Sequence, residues 1–175
     1  MKSSSIYYSI GPLLYCPANR NTIAASIISQ KYGGHFSLAL CLEDTISDLH
    51  VEEAEHSLAA SIRQIDQAAQ QQSFYLPKIF VRVREPQQIP RLLTLLGHSR
   101  SLLSGFIIPK FAPDQADAYI QAVIAANEQS LHPLYLMPIY ESACMIDLRS
   151  RYEILYTLKE KLSRVEDLVL NIRVG

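Results

Sequence analysis

The chain has 175 residues, 49% of them hydrophobic, with sixteen basic residues against seventeen acidic ones and a formal net charge of −1. This is the balance of an ordinary globular chain and excludes a disordered or collagen-like one. It also excludes the concentrated basic face that nucleic-acid binding requires, and no run approaches the roughly 18 apolar residues of a membrane span.

Short apolar runs alternate with longer amphipathic segments. Gly11 to Cys16 is an apolar run ended by Pro17, and Asn21 to Tyr32 has helical spacing at Ile23, Ile27, Ile28 and Tyr32, stopped by Gly33-Gly34. Phe36 to Leu42 is the second run and Val51 to Gln70 a helix with Glu52 and Glu53 in its first turn. Runs and helices then follow in turn: Ile79–Val83 and Pro86–Leu96, Gly105–Pro109 and Pro113–Glu128, Leu134–Ile139 and about Met145 to Leu162, and a last run, Leu168–Val174. The pattern is five strand-then-helix units plus a final strand. The strands are almost wholly apolar rather than alternating, so both faces are expected to be buried, as in a parallel sheet covered by helices. An open doubly wound sheet and a (β/α) barrel both fit, but the first strand is not followed by Gly-x-Gly-x-x-Gly, which disfavours a nucleotide-binding open sheet.

In parallel β/α folds the chemistry sits where strands end. The second run ends in Glu43-Asp44, the third carries Arg82 and Arg84, the fourth ends in Lys110 and the fifth in Glu141-Ser142. Carboxylates and cations are therefore expected to meet on one rim. Arg82, inside Ile79-Phe80-Val81-Arg82-Val83, is expected to face the interior and meet an anion, because an unpaired buried charge is costly. Glu141 reads as a ligand-binding carboxylate. Asp44 serves equally well as a cap, Lys110 as a solvated loop lysine, and Arg84 as an outward-pointing side chain. The five histidines read as solvated surface. Cys16, Cys41 and Cys144 form no Cys-x-x-Cys pair, and the first two read as small buried thiols rather than a zinc site or a disulfide framework. Met1-Lys2-Ser3-Ser4-Ser5 lacks the apolar core of a leader, so a cytoplasmic protein is expected.

The succession Leu14-Tyr15-Cys16-Pro17-Ala18-Asn19-Arg20, Leu40-Cys41-Leu42-Glu43-Asp44, Val81-Arg82-Val83-Arg84, Ile107-Ile108-Pro109-Lys110 and Pro138-Ile139-Tyr140-Glu141-Ser142 resembles the citrate lyase beta-subunit-like family. Within the HpcH/HpaI aldolase superfamily it is most similar to the TIM-barrel C–C bond lyases associated with tellurite resistance. The resemblance covers about Gly11 to Gly175. It implies divalent-metal-dependent cleavage or formation of a C–C bond in an anionic acyl or hydroxy-acid substrate, through an enolate.

By that resemblance Glu141 is a direct Mg2+ ligand (Mn2+ being an alternative), and Glu43 and Asp44 lie near the metal through its waters. Arg82 is the catalytic cation that binds the substrate carboxylate and stabilises the enolate, and Arg20 and Lys110 line the substrate pocket. Magnesium suits such a site because it takes hard oxygen ligands and keeps several waters. Arg84 stands where the family usually has a small amide, which implies a more anionic substrate, a phosphorylated compound or CoA thioester among them, or an outward side chain. The family's second metal-binding carboxylate is an aspartate just after the sixth strand, and this sequence ends at Gly175. One domain over 1–175 is therefore expected to form six strands of a (β/α)8 barrel that does not close by itself, and to associate as a homo-oligomer, since open sheet edges invite pairing. Two other functions fit the residues: a Schiff-base aldolase using Lys110, which needs a buried lysine of lowered pKa, and a non-catalytic barrel that binds an anionic metabolite or a partner subunit.

Overall fold

A computed structural model describes residues 4–175, with side chains from Ile6 onward. The stretch Met1–Ser3, part of the reading that no leader is present, lies outside the described residues. Six strands form one parallel sheet in sequence order: β1 (Leu13–Pro17), β2 (Ser37–Cys41), β3 (Lys78–Arg82), β4 (Leu103–Ile108), β5 (Tyr135–Tyr140) and β6 (Arg173–Val174). The helices are α1 (Ser4–Tyr8), α2 (Ile23–Ile28), α3 (Val51–Gln71), α4 (Gln88–Leu96), α5 (Pro113–Glu128) and α6 (Leu148–Ser163). The sheet curls into a half-barrel, with α2 to α6 on its outer face.

Strand alternation builds two cores. Leu38 and Leu40 of β2 with Leu42 just after it, Ile79 and Val81 of β3 with Val83 just after it, and Phe106 and Ile108 of β4 turn outward and pack with the helices in the larger cluster. Ala39, Phe80, Ile107, Met137 and Ile139 turn inward and join Ile10 and Leu170 in a second, smaller cluster. Burial on both sides explains why the strands lack polar alternation. Ile6 of α1, a helix not anticipated from the sequence, packs against the inner cluster.

Backbone constraints fix several strand positions. At Gly105, where φ is +152°, a Cβ would lie 2.0 Å from the carbonyl oxygen of Tyr135, so β4 and β5 meet there only because the side chain is absent. A register shift between β3 and β4 falls at Ile79/Phe80. The Asn127 side chain on α5 donates to Leu134 O at 3.0 Å and accepts from Leu134 N–H at 2.9 Å, fixing the entry to β5.

Two expected boundaries differ by more than three residues. The helix expected over Asn21 to Tyr32 is confined to Ile23–Ile28, because the chain breaks into turns in which Gln30 adopts φ +54° before Gly33-Gly34 is reached. The last strand, expected from Leu168, contacts β5 at an isolated bridge, Leu136 to Val169, leaves the ladder, and rejoins it only at Arg173–Val174. Between α3 and α4 a polar staple on the buried Glu55 adds to the apolar packing. Arg91 Nε and Nη2 donate to Glu55 at 2.9 and 2.7 Å, and Gln88 Nε2 donates to it at 2.6 Å. Among the described residues no helix is long and apolar enough to cross a membrane.

Candidate active site at the strand ends

The carboxyl ends of β2, β3, β4 and β5 bring Glu43, Asp44, Arg82, Lys110 and Glu141 together. Arg82, the last residue of β3, shares the inward face with Phe80, and Cys41 of β2 is its register partner. Its Nη2 lies 2.6 Å from Glu43 Oε2, 2.9 Å from Asp44 Oδ2 and 3.1 Å from Glu141 Oε1. A guanidinium terminal nitrogen carries two protons, so three carboxylate oxygens around it are one more than it can satisfy by hydrogen bonding. Among the described residues, the buried Nε of Arg82 finds no hydrogen-bond partner, and neither does the hydroxyl of Ser142.

Lys110 closes the cluster from β4. Its backbone adopts φ +50°, a left-handed conformation uncommon for a residue with a side chain. Its N–H faces Glu141 Oε1 at 3.3 Å, and its ammonium donates to Glu43 Oε1 at 2.6 Å and Asp44 Oδ1 at 3.2 Å. Glu43 thus links the two cations, and it also accepts the Asp44 N–H at 3.0 Å. Its side chain is only 8% exposed, whereas those of Asp44 and Lys110 are 57% and 58% exposed. The cluster is buried at its root and open at its mouth.

Electrostatics follow from this packing. Burial disfavours the Arg82 charge, but Glu43, Glu141, Cys41 and Asp44 outweigh it and raise its pKa above the ordinary arginine value. Hydrogen bonds to Glu43 and then Asp44 raise Lys110 above the ordinary lysine value. Asp44 is held below the carboxylate range by its hydrogen-bonding contact with Glu43 and by Lys110 and Arg82, against a smaller opposing effect of burial. The condition for a Schiff-base lysine is a lowered pKa; at Lys110 the shift has the opposite sign.

Arg84 faces the β2–α3 loop rather than open solvent. Its Nε donates to Leu42 O at 3.1 Å and its Nη2 to Glu43 O at 3.0 Å, and it also bonds Ile46 O and the Asp48 carboxylate. Tyr119 Oη in turn donates to Arg84 O at 3.1 Å. These bonds tie down the loop that carries Glu43 and Asp44. Arg20 is not brought into the cluster. Its Nε donates to Thr22 Oγ1 at 3.2 Å, and its side chain lies against Cys16, which belongs to the outer, helix-side core.

Two residues at the mouth were not singled out from the sequence. Tyr15 of β1 and Arg173 of β6 meet across the curl, Arg173 Nη1 donating to Tyr15 Oη at 2.7 Å with the guanidinium 5.4 Å from the ring centre. Arg173 could have been found by the signal that picked out Arg82, a lone charge within an apolar run. Gly175 lies against Glu141, and a Cβ on it would come within 2.9 Å of Glu141 Cβ.

Among the described residues, no group of three or more His, Cys, Asp and Glu stands close enough to hold a metal ion. The donor set nevertheless fits a hard cation in kind. Three carboxylates against two ammonium or guanidinium charges leave one negative charge in surplus, and the surplus acceptor at Arg82 Nη2 marks where it falls. A cleft of about 460 Å3 opens beside the cluster, bounded by Glu43, Asp44, Arg84, Lys110, Gln115 and Tyr119. A larger one, about 890 Å3 between α3 and α4, lies away from the strand ends.

The model of a family described as C–C bond lyases of the TIM-barrel fold matches residues 4–175. Among solved structures, the fold is similar to that of protein CitE from Mycobacterium tuberculosis. In complex with magnesium and acetate, that structure aligns with a TM-score of 0.55 at 15% identity, over 99% of this chain and 57% of that one. In complex with magnesium and pyruvate it aligns with a TM-score of 0.52 at 15% identity, over 96% and 54%. The chain thus spans little more than half the length of the solved structures it resembles. No curated protein matches it.

Proposed function

The chain belongs to the C–C bond lyase family of the TIM-barrel fold, and from that premise we propose that its strand-end cluster takes part in magnesium-dependent cleavage of a C–C bond in a small anionic substrate. The observation that carries this reading is the convergence of Glu43, Asp44 and Glu141 on one guanidinium nitrogen, with an acceptor in surplus. The CitE structures in complex with magnesium and with pyruvate or acetate support the choice of ion and of ligand class.

Glu141 would hold the ion, with Glu43 and Asp44 acting through its waters. When bound, the ion supplies Lewis-acid polarisation of a substrate oxygen. The chain's own residues supply the rest. Arg82, held at the strand ends among Glu43, Asp44 and Glu141, is the cation that would face an oxygen on which charge builds. Lys110 N–H and ammonium hold Glu141, Glu43 and Asp44 in place. Arg84 spends its donors on the β2–α3 loop, which argues for a part in fixing Glu43 and Asp44 rather than in binding a phosphorylated substrate. Gly175 lies beside Glu141, so a chain continuing beyond it would enter next to that carboxylate.

A second reading, a non-catalytic anion-binding barrel, has one observation in its favour: Arg82 and Lys110 already occupy the carboxylates as internal cations. Loss of the methyl proton signal of pyruvate in D2O, followed by NMR, separates the two because it reports enolate formation. Exchange that requires magnesium and is lost in Glu141→Ala and Arg82→Met is the expected result. Exchange unaffected by EDTA or by Glu141→Ala contradicts the proposal, and absence of exchange from a folded chain favours the second reading.

A further inference from the structure

The charges at the mouth are unevenly satisfied. Arg82 and Lys110 face carboxylates, and Arg84 is tied to loop carbonyls and Asp48. Arg173 has no carboxylate within ion-pairing distance among the described residues; its side chain meets Tyr15. The rim therefore has an acidic side, with one negative charge in surplus, and a basic side with an unneutralised guanidinium.

The basic side is built as a receptor. A guanidinium has five N–H donors in a planar fork suited to a carboxylate, and among the described residues one of them finds an acceptor, Tyr15 Oη. The bond to Tyr15 Oη and the contact with its ring limit the orientations of that fork, so less freedom is lost when an anion docks. The phenol accepts from Arg173, which leaves its own proton to donate. Burial raises the Tyr15 pKa, with Arg173 and then Arg82 opposing, so the hydroxyl remains a donor at neutral pH. Tyr15 is 38% exposed, which leaves the pair reachable from solvent.

We propose that Tyr15 and Arg173, on the two outermost strands, form a carboxylate-binding pair at the barrel mouth, distinct from the acidic cluster around Arg82. Its place in a reaction rests on the function proposed above: the pair holds the substrate's carboxylate on the basic side while the reacting oxygen faces Arg82 and Glu141. A specificity for substrates with a carboxylate remote from the reacting carbon follows.

The test is calorimetric titration of succinate on the whole chain in buffer containing EDTA, with Arg173→Gln, Arg173→Lys, Tyr15→Phe and the α6 control Arg149→Gln. Arg173→Gln is expected to weaken binding about tenfold or more, the size of a charge-assisted hydrogen bond. Tyr15→Phe is expected to lose less, Arg173→Lys to recover part, and Arg149→Gln to bind as the unaltered chain does, all at unchanged melting temperature. Unaltered affinity in Arg173→Gln, an equal loss in Arg149→Gln, or no binding by the unaltered chain overturns the proposal. Magnesium titration of the same proteins keeps the two readings apart: succinate binding that needs Arg173 in a chain that takes no magnesium removes the lyase reading and leaves this one standing.

Discussion

Glu43 and Arg82, from the ends of adjacent strands, stand 2.6 Å apart with side chains only 8% and 13% exposed. Between them they organise the whole cluster, since Glu43 also receives Lys110 and Arg82 also meets Asp44 and Glu141. Removing one partner of such a buried pair leaves an uncompensated charge. Arg82→Met is therefore expected to cost about 3–5 kcal/mol. Chemical denaturation at neutral pH measures it.

Lys110 has a raised pKa, with Glu43 as the main cause. Its ammonium is thus a poor nucleophile near neutral pH. Borohydride treatment in the presence of pyruvate is expected to leave no adduct on Lys110 by mass spectrometry. A reduced adduct at that residue would reinstate the Schiff-base aldolase.

Glu55 gives the fold an acid-sensitive staple. Burial raises its pKa, but hydrogen bonds from Arg91 and Gln88 outweigh this and leave it below the ordinary glutamate value. A carboxylate depressed in the folded state stabilises the fold at pH above its unfolded pKa, about 4.3, and that contribution fades as pH falls through the folded value. Glu55→Gln is expected to cost about 1–3 kcal/mol at pH 7 and much less near pH 3. A cost independent of pH would assign the effect to packing instead.

Gly105→Ala tests the sheet. A methyl group there would meet the Tyr135 carbonyl oxygen at 2.0 Å, in a backbone conformation that other residues rarely adopt. The melting temperature is expected to fall by several degrees or folding to fail, whereas Gly97→Ala, with nothing within 4 Å, is expected to lose less.

The sequence made the sheet and most of the cluster legible for one reason. Strands buried on both faces are continuous apolar runs, so the charges that end them, Glu43, Arg82, Lys110 and Glu141, stand out. Arg84 and Arg20 stand out equally, but pattern cannot say which way a side chain turns once its strand has ended. The outcome depends on loop carbonyls for Arg84 and on Thr22 and Cys16 for Arg20. Tyr15 and Arg173 escaped because their significance lies in a contact between residues 158 positions apart, set by the curl of the sheet. The short β6 was overextended for a similar reason: Leu168 to Leu170 are apolar and bridge Leu136 of β5, but a turn on Val165 O holds the N–H groups of Leu168 and Val169, and the ladder resumes only at Arg173.

Magnesium titration by calorimetry, on this chain and on Glu141→Ala, tests the central claim most directly. Saturable binding that disappears in a folded Glu141→Ala is the expected result, because the surplus negative charge beside Arg82 needs a cation that Glu141 can hold. No binding by the well-folded chain, or binding indifferent to Glu141, would contradict it and leave the cluster as a set of internal ion pairs.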